Sequence, residues 1–203
     1  MVVAVVAVRH EPAFYRSRLA AGRSPEAARA ARRLVTKVAA VQAAAGRPGP
    51  WELAITDEEF NAWLALDLPR NHARVLDEGV VDPRIAFDRR RLAVASRVQL
   101  GPLEAVGSLA LDVRLREPNQ IELAVADARL GAIPLPHGPV LRWLAGVATP
   151  LGLVAEVRRL DGRGVLVVSM ILPSAPGAGR PTLVALALEP GELLAGGETR
   201  EGR

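Results

Sequence analysis

The sequence predicts an α+β fold in which a curved antiparallel β-meander packs against two or three helices. Two stretches, 24–46 and 56–67, carry helical periodicity and helix-capping residues. From about Ile85 the apolar period changes to two, and short turn sequences separate the alternating stretches. Hydrophobic residues make up 50% of the 203 residues and aromatic residues only 3%, so we expect an aliphatic core. The chain has no cysteine, which excludes disulfides and thiolate chemistry.

The first eight residues, MVVAVVAV, are continuously apolar. As a helix they would extend about 12 Å, well short of the ~30 Å hydrocarbon core of a bilayer. No basic segment precedes Val2, so a signal peptide is not predicted. Three interpretations stay open: the end of a membrane anchor that begins upstream of a misplaced start codon, a β-strand, or an unimportant tail. We assign residues 1–23 to this apolar segment and a linker.

Residues 24–46 predict an amphipathic helix. Ser24 is a suitable N-cap, Pro25 suits the first helical position, and Glu26 lies in the first turn. One stripe of the helix is apolar and consists of Ala31, Leu34, Val38, Val41 and Ala45. The basic residues away from that stripe are Arg29, Arg32, Arg33 and Lys37. We expect the stripe to pack on the domain, with a membrane surface as the alternative.

The stretch ITDEEFNAWLALDLP predicts a second helix. Thr56 is an N-cap and Glu59, three residues later, completes a capping box. The acidic residues Asp57, Glu58 and Glu59 lie in the first turn, where carboxylates favour the helix dipole. We therefore interpret them as structural and not as a general acid and base.

The remaining chain predicts strands with one short helix. The stretches RIAF, RLAVASRVQL, AVGSLALDVRL and IELAVADARL alternate in hydrophobicity and form a meander with one apolar face. A helix at 138–148 follows, with Leu141, Leu144 and Val147 facing inward, and then a hairpin that turns at Asp161-Gly162. We assign 51–190 to one α+β sheet domain and 191–203 to a disordered tail.

No motif for catalysis, metal binding or cofactor binding is found. The three histidines, His10, His72 and His137, do not lie at metal-ligand spacing, and no serine lies in a GxSxG turn. The net charge of +4 combines 26 basic with 22 acidic residues, and the predicted strands carry almost no aromatic side chains for stacking on bases. We therefore predict a protein that is not an enzyme, has no cofactor and does not bind nucleic acid.

Two stretches, ITDEEFNAWL at 55–64 and LGAIPLP at 130–136, together with the order of elements, resemble the YpmS-like family of membrane-anchored bacterial proteins. The chain is also similar to lipid-binding domains of the tubular type, in which a curved sheet wraps a helix around an apolar channel. Asn61 matches the asparagine that follows the capping box in that family. The resemblance implies a bacterial cell-envelope protein on the extracytoplasmic side of the membrane. It implies no catalytic residues, and residues 1–8 would be the remnant of a transmembrane anchor.

We therefore predict a non-catalytic, membrane-associated domain that binds a lipid or another apolar small molecule in a groove between sheet and helices. An apolar face of aliphatic side chains suits such ligands. The predicted lining consists of Val94, Leu109, Leu111, Leu123, Ile133, Leu141 and Leu144. The alternative is a structural or protein-interaction module of the cell envelope, in which the same face is a filled core.

Overall fold

The computed structural model of the chain describes residues 10–21, 24–71, 79–149, 153–170 and 180–201. In this part the helices are α1 (Ala13–Ala21), α2 (Pro25–Ala45), α3 (Asp57–Leu66), α4 (Leu68–Asn71) and α5 (His137–Ala148). The strands are β1 (Gly49–Thr56), β2 (Val80–Asp88), β3 (Arg91–Leu100), β4 (Leu103–Glu117), β5 (Gln120–Leu130), β6 (Ile133–Pro134), β7 (Val154–Leu160), β8 (Arg163–Ser169), β9 (Arg180–Glu189) and β10 (Glu192–Arg200).

The strands form two antiparallel sheets. The large sheet has the order β2-β3-β4-β5-β8-β7, with β6 paired to β5, and the small sheet has the order β1-β10-β9. Short hairpins connect most neighbouring strands, as expected for an antiparallel meander. The predicted α+β class, a curved antiparallel sheet packed against helices, is confirmed.

One face of the large sheet, called the inner face below, is built from cross-strand rows of aliphatic side chains. The first row runs Ile85–Val94–Leu109–Ala128 and the second runs Phe87–Leu92–Leu111–Val125. Further rows run Val113–Leu123–Leu166 and Leu115–Ile121–Val168. Such cross-strand pairs stabilise a sheet by burying apolar surface on one side. Most of these side chains belong to one core cluster.

The small sheet is attached to the turns at one end of the large sheet. At the β2–β3 turn, the N–H of Arg90 donates to the carbonyl of Leu188, 3.0 Å away. At the β4–β5 turn, Asn119 exchanges bonds with Leu183: its N–H donates to the Leu183 carbonyl at 3.1 Å, and its Oδ1 accepts from the Leu183 N–H at 2.7 Å. Both ends of β9 are therefore fixed to hairpin turns of the large sheet.

Both predicted helix starts are confirmed. Ser24 accepts a hydrogen bond from the Ala27 N–H, and α2 begins at Pro25. Thr56 and Glu59 form the capping box of α3. Along α2 the predicted stripe is buried at Ala31, Leu34 and Ala45 and half-buried at Val41, but Val38 is 37% exposed. The helix packs on α3 and β1 instead of standing away from the domain.

The predicted disordered tail at 191–203 is wrong for residues 192–200. Residues Glu192–Arg200 form β10, the central strand of the small sheet, which pairs with β1 on one side and β9 on the other. The physical reason is partly non-local: a glycine-containing stretch with weak strand propensity pairs with β9 across a tight turn and with β1, which is distant along the chain. Helix α1, within the segment assigned as a linker, is also unpredicted. The apolar stretch 1–8 lies outside the described residues.

Candidate apolar binding face

Helix α3 covers the inner face on the β2 side. It packs on β2, and its Phe60 and Trp63 contact the core cluster with their ring centroids 5.9 Å apart. Phe60 also meets Phe87 of β2 in an edge-on arrangement at 6.4 Å. These aromatic side chains bury a large apolar area at the β2 end of the inner face.

Asn61 fixes α3 to the edge of the sheet. Its Nδ2 donates to the carbonyls of Asp57 at 2.7 Å and Ile85 at 2.8 Å, and its Oδ1 accepts from the Ile85 N–H at 2.8 Å. The Asn61 amide thus bonds the backbone of Ile85 as a neighbouring strand would. Asn61 and Ile85 are both buried. Asn61 bridges a helix and a strand, which settles the position of α3 over the inner face.

A buried acidic pair joins α3 to the two preceding helices. Asp57 bonds Arg18 of α1 at 2.5 Å, and Glu59 accepts from Lys37 at 2.7 Å and Arg33 at 3.3 Å, both of α2. Burial raises the pKa of the Asp57 carboxyl, and the Arg18 charge offsets only part of that effect.

The pKa of Glu59 is lowered, in contrast to that of Asp57. Burial disfavours its charge, but hydrogen bonds from Lys37 and the Thr56 N–H outweigh that effect and hold its pKa below the ordinary value. Every partner in this network belongs to a helix or its cap, so its oxygens hold helices together. This use agrees with the structural interpretation of Asp57 and Glu59.

Helix α5 covers the inner face on the opposite side, packing on β5, β7 and β8. Leu141 is 2% exposed, and its Cδ1 lies so close to Gly164 that a Cβ there would approach it to 3.1 Å. Leu144 is half-buried and packs against the same cluster. The absence of a side chain at Gly164 allows α5 to approach β8 closely.

The strands between the two helices carry the exposed part of this face. Val94 of β3 and Leu109 of β4 are directly paired across the ladder, and both are half-buried although they pack against the core cluster. Leu92 of the next row is half-buried as well. Apolar side chains of the inner face therefore remain partly accessible to solvent between α3 on one side and α5 on the other.

The structure brings the predicted lining residues together with one exception. Leu111 and Leu141 are buried in the core cluster, and Val94, Leu109, Leu123 and Leu144 pack against it while half-buried. Ile133 is the exception: it lies on the short strand β6 and is 43% exposed. Sequence reasoning missed Phe60, Trp63 and Leu92 as members of the face. The sequence shows the periodicity of these residues, but it does not show which strands a given helix packs against.

A cleft of about 530 Å³ opens at the end of the face where the small sheet is attached. Its apolar lining comes from Val113 and Leu115 of β4 and from Leu186 and Leu188 of β9. Its charged lining consists of Arg90, Arg114 and Glu189. Since Val113 and Leu188 also belong to the core cluster, the cleft adjoins the inner face. Its volume falls in the range of small-molecule sites.

The outer face of the sheet is packed by α1. Tyr15 is fully buried against Ala95 and Val106, and its hydroxyl donates to the Asp82 carbonyl at 3.0 Å. Burial raises the pKa of Tyr15 to about 12, so this hydroxyl stays protonated as a donor. The outer face thus carries a small cluster in which Tyr15 packs on Ala95 and Val106, with Phe14 and Leu19 of α1 beside it.

Within the described ranges, no group of three or more histidine and acidic side chains is arranged to hold a metal ion. No helix among the described residues is long and apolar enough to cross a membrane. Comparison of the chain with protein-family models, curated proteins and solved structures finds no match in any of the three.

Proposed function

We propose that this protein is a non-catalytic domain that binds a lipid or another apolar chain on its inner face. The observation that carries the proposal is the half-buried Val94–Leu109 pair on strands between α3 and α5. An aliphatic ligand laid across these strands would remove further apolar surface from water, at about 25 cal/mol per Å².

The cleft beside β9 supports a ligand with an acidic head group. Arg90 and Arg114 are exposed at its lining, while Val113 and Leu186 form its apolar part. Guanidinium groups bind carboxylates and phosphates in bidentate geometry. A fatty acid would place its chain on the inner face and its carboxylate at Arg90, because Arg114 alternates with the inner-face residues Val113 and Leu115 and points to the outer face.

Native mass spectrometry of the full chain with oleate tests the proposal. We expect a one-to-one complex, and a Val94→Gln variant is expected to weaken oleate binding at least tenfold because it places an amide in the apolar contact. The matched control is Ala93→Gln, the neighbouring residue on the outer face, which should leave binding unchanged. Equal loss in both variants, or no complex with the parent chain, would contradict the proposal.

The alternative is an interaction module whose inner face is a filled core. It is favoured by Leu111, Leu141 and Leu166, which are exposed by only 2 to 3%. In that case oleate does not bind saturably and Val94→Gln changes stability alone. Equilibrium unfolding of the same variants, with and without oleate, separates the two because a specific ligand raises the unfolding midpoint.

Membrane association on the extracytoplasmic side belongs to the same proposal. It is supported by the apolar stretch 1–8 and by α2, where Val35 and Val38 are exposed on a helix that also carries Arg29 and Arg32. Flotation with vesicles that contain an anionic phospholipid tests it. Binding that falls with added salt supports the proposal, whereas protein that stays unbound at low salt contradicts it.

A further inference from the structure

The edge strand β7 differs from two other edge strands of the molecule. The edge of β2 is occupied by Asn61 at Ile85 and by the Gly191 N–H at the Phe87 carbonyl. The edge of β9 is bonded to the two hairpin turns described above. Strand β7 ends the large sheet, and within the described residues no hydrogen bond reaches its outer edge from elsewhere.

The pairing with β8 determines which groups of β7 point outward. Leu160 and Arg163 flank the two-residue turn Asp161-Gly162, where both turn residues have positive φ, so this pair exchanges its hydrogen bonds inside the hairpin. Alternate residues then point away from β8. The backbone N–H and C=O groups of Ala155, Val157 and Arg159 therefore face outward.

Strand β7 carries three charged residues, Glu156, Arg158 and Arg159, but it lacks other features that protect edge strands. Its sequence VAEVRRL has no proline, glycine or lysine, and its register with β8 continues without a bulge. Val154 and Val157 are 49% and 44% exposed. A regular edge with outward backbone groups of this kind can pair with another strand whose charges complement its own.

We propose that β7 pairs antiparallel with β7 of a second copy of this chain, with Val157 opposite Val157 on the twofold axis. In this register the outward groups of Ala155 meet those of Arg159, so every outward N–H finds a carbonyl. Glu156 faces Arg158 of the second copy, and Val154 faces Leu160. The large sheets of the two copies become one continuous sheet.

The charges of β7 favour this register over the registers centred on residue 156 or residue 158. A shift of the axis to residue 156 places Glu156 opposite Glu156, and a shift to residue 158 places Arg158 opposite Arg158. Like charges directly opposite each other destabilise a strand pair. Within one chain Arg158 already bonds Glu156 at 2.7 Å, so pairing produces alternating charges on the outer face.

The seven residues of β7 are complementary to a second, antiparallel copy of the same strand. Its ends are apolar, Glu156 and Arg158 are placed symmetrically about Val157, and its outward groups include Val157 itself. Its third charge, Arg159, would face the small Ala155 of the second copy. A strand of unrelated sequence would need to match the charge order independently. The second copy is therefore the occupant that these observations favour.

Sedimentation equilibrium of the full chain is the first test. We expect a concentration-dependent dimer of twice the 21.6 kDa chain mass. Glu156→Arg and Arg158→Glu should each weaken dimerisation at least tenfold, because each places like charges opposite. Mixing the two variants should restore a heterodimer, since arginines then face glutamates. A chain that is monomeric at every concentration, or a dimer that both variants leave unchanged, would overturn the proposal.

A cysteine pair tests the register itself, because the parent chain has no cysteine. Opposite residues in a hydrogen-bonded pair lie about 5.5 Å apart at Cα, within disulfide range. Val157→Cys should therefore form a disulfide-linked dimer under mild oxidation. Ala155→Cys is the control, since its two copies would lie about 14 Å apart. Cross-linking at 155 without cross-linking at 157 would contradict the Val157-centred register.

Discussion

The side-chain amide of Asn61 binds both backbone polar groups of Ile85, at 2.8 Å each, although the two residues belong to a helix and an edge strand. The amide thereby replaces a strand neighbour. It satisfies two buried groups that would otherwise lack partners, and leaving such groups unsatisfied costs about 1–3 kcal/mol each. It also closes the β2 edge to other chains.

Asn61→Ala tests this relationship. We expect it to lower the free energy of unfolding by about 2–4 kcal/mol, because the Ile85 N–H and C=O lose their partner in a buried site. Urea denaturation measures the loss. Asn71→Ala is the control: Asn71 is exposed and bonds Asp67 at 2.7 Å, so its loss should stay within about 0.5 kcal/mol. Equal effects would show that the Asn61 bridge contributes little.

Asn119 is predicted to act through both its backbone conformation and its side chain. Its φ of +62° is uncommon for residues other than glycine, and its Oδ1 accepts from the Leu183 N–H. Asn119→Gly keeps the conformation and loses the bond, so we expect a loss of about 1 kcal/mol. Asn119→Ala should cost about 1 kcal/mol more, because alanine is strained there. Hydrogen exchange at Leu183 should accelerate in both variants, and unchanged exchange would contradict the role of the side chain.

Two adjacent glycines of β10 predict opposite responses to the same substitution. A Cβ at Gly197 would lie 2.1 Å from Cζ2 of Trp51 and 2.3 Å from the Thr182 carbonyl. Gly197→Ala should therefore destabilise the fold by about 3 kcal/mol or more. A Cβ at Gly196 meets its nearest neighbour, the Ala185 Cβ, at 3.7 Å, an ordinary contact. Gly196→Ala should be neutral or slightly stabilising in thermal unfolding. A tolerated Gly197→Ala would contradict the close packing of Trp51.

The two buried acids of α3 predict opposite pH dependences. The lowered pKa of Glu59 means that its stabilisation is present above its ordinary value of 4.5 and is lost as pH falls through the lower value of the folded state. The advantage of the parent chain over Glu59→Gln should therefore grow between pH 3 and pH 6.

The raised pKa of Asp57 gives its contribution to stability the opposite pH dependence. Its contribution is most favourable below its ordinary value of 3.8 and is lost as pH rises through the higher value of the folded state. Any advantage of the parent chain over Asp57→Asn should shrink between pH 3 and pH 6. Urea midpoints across this range measure both variants, and gaps that change with the same sign would contradict the assignment.

Local chemistry in the sequence was sufficient to predict much of the fold. Ser24 and Thr56 cap helices through bonds to residues three positions later, and the alternation of Leu109, Leu111 and Val113 places one face of β4 on the core. These features depend on near neighbours along the chain, so pattern reasoning finds them.

Features that depend on distant partners were not predicted. The central position of β10 in its sheet depends on β1, which is distant along the chain, and the role of Asn61 comes from Ile85, which lies 24 residues away. A register shift in β5 also places both Val125 and Ala128 inward, where strict alternation would predict Asp127. The predicted lining residues lie together except Ile133, because the sheet period alone places most of them on one face.

The most direct test of apolar binding uses Trp63, which packs against the inner-face cluster. In a chain carrying Trp51→Phe and Trp143→Phe, Trp63 is the only tryptophan, and a brominated fatty acid quenches its fluorescence only on close approach. We expect saturable quenching that unbrominated oleate displaces and that Val94→Gln weakens at least tenfold. Quenching that rises linearly with fatty acid, and that oleate does not displace, would contradict binding on the inner face.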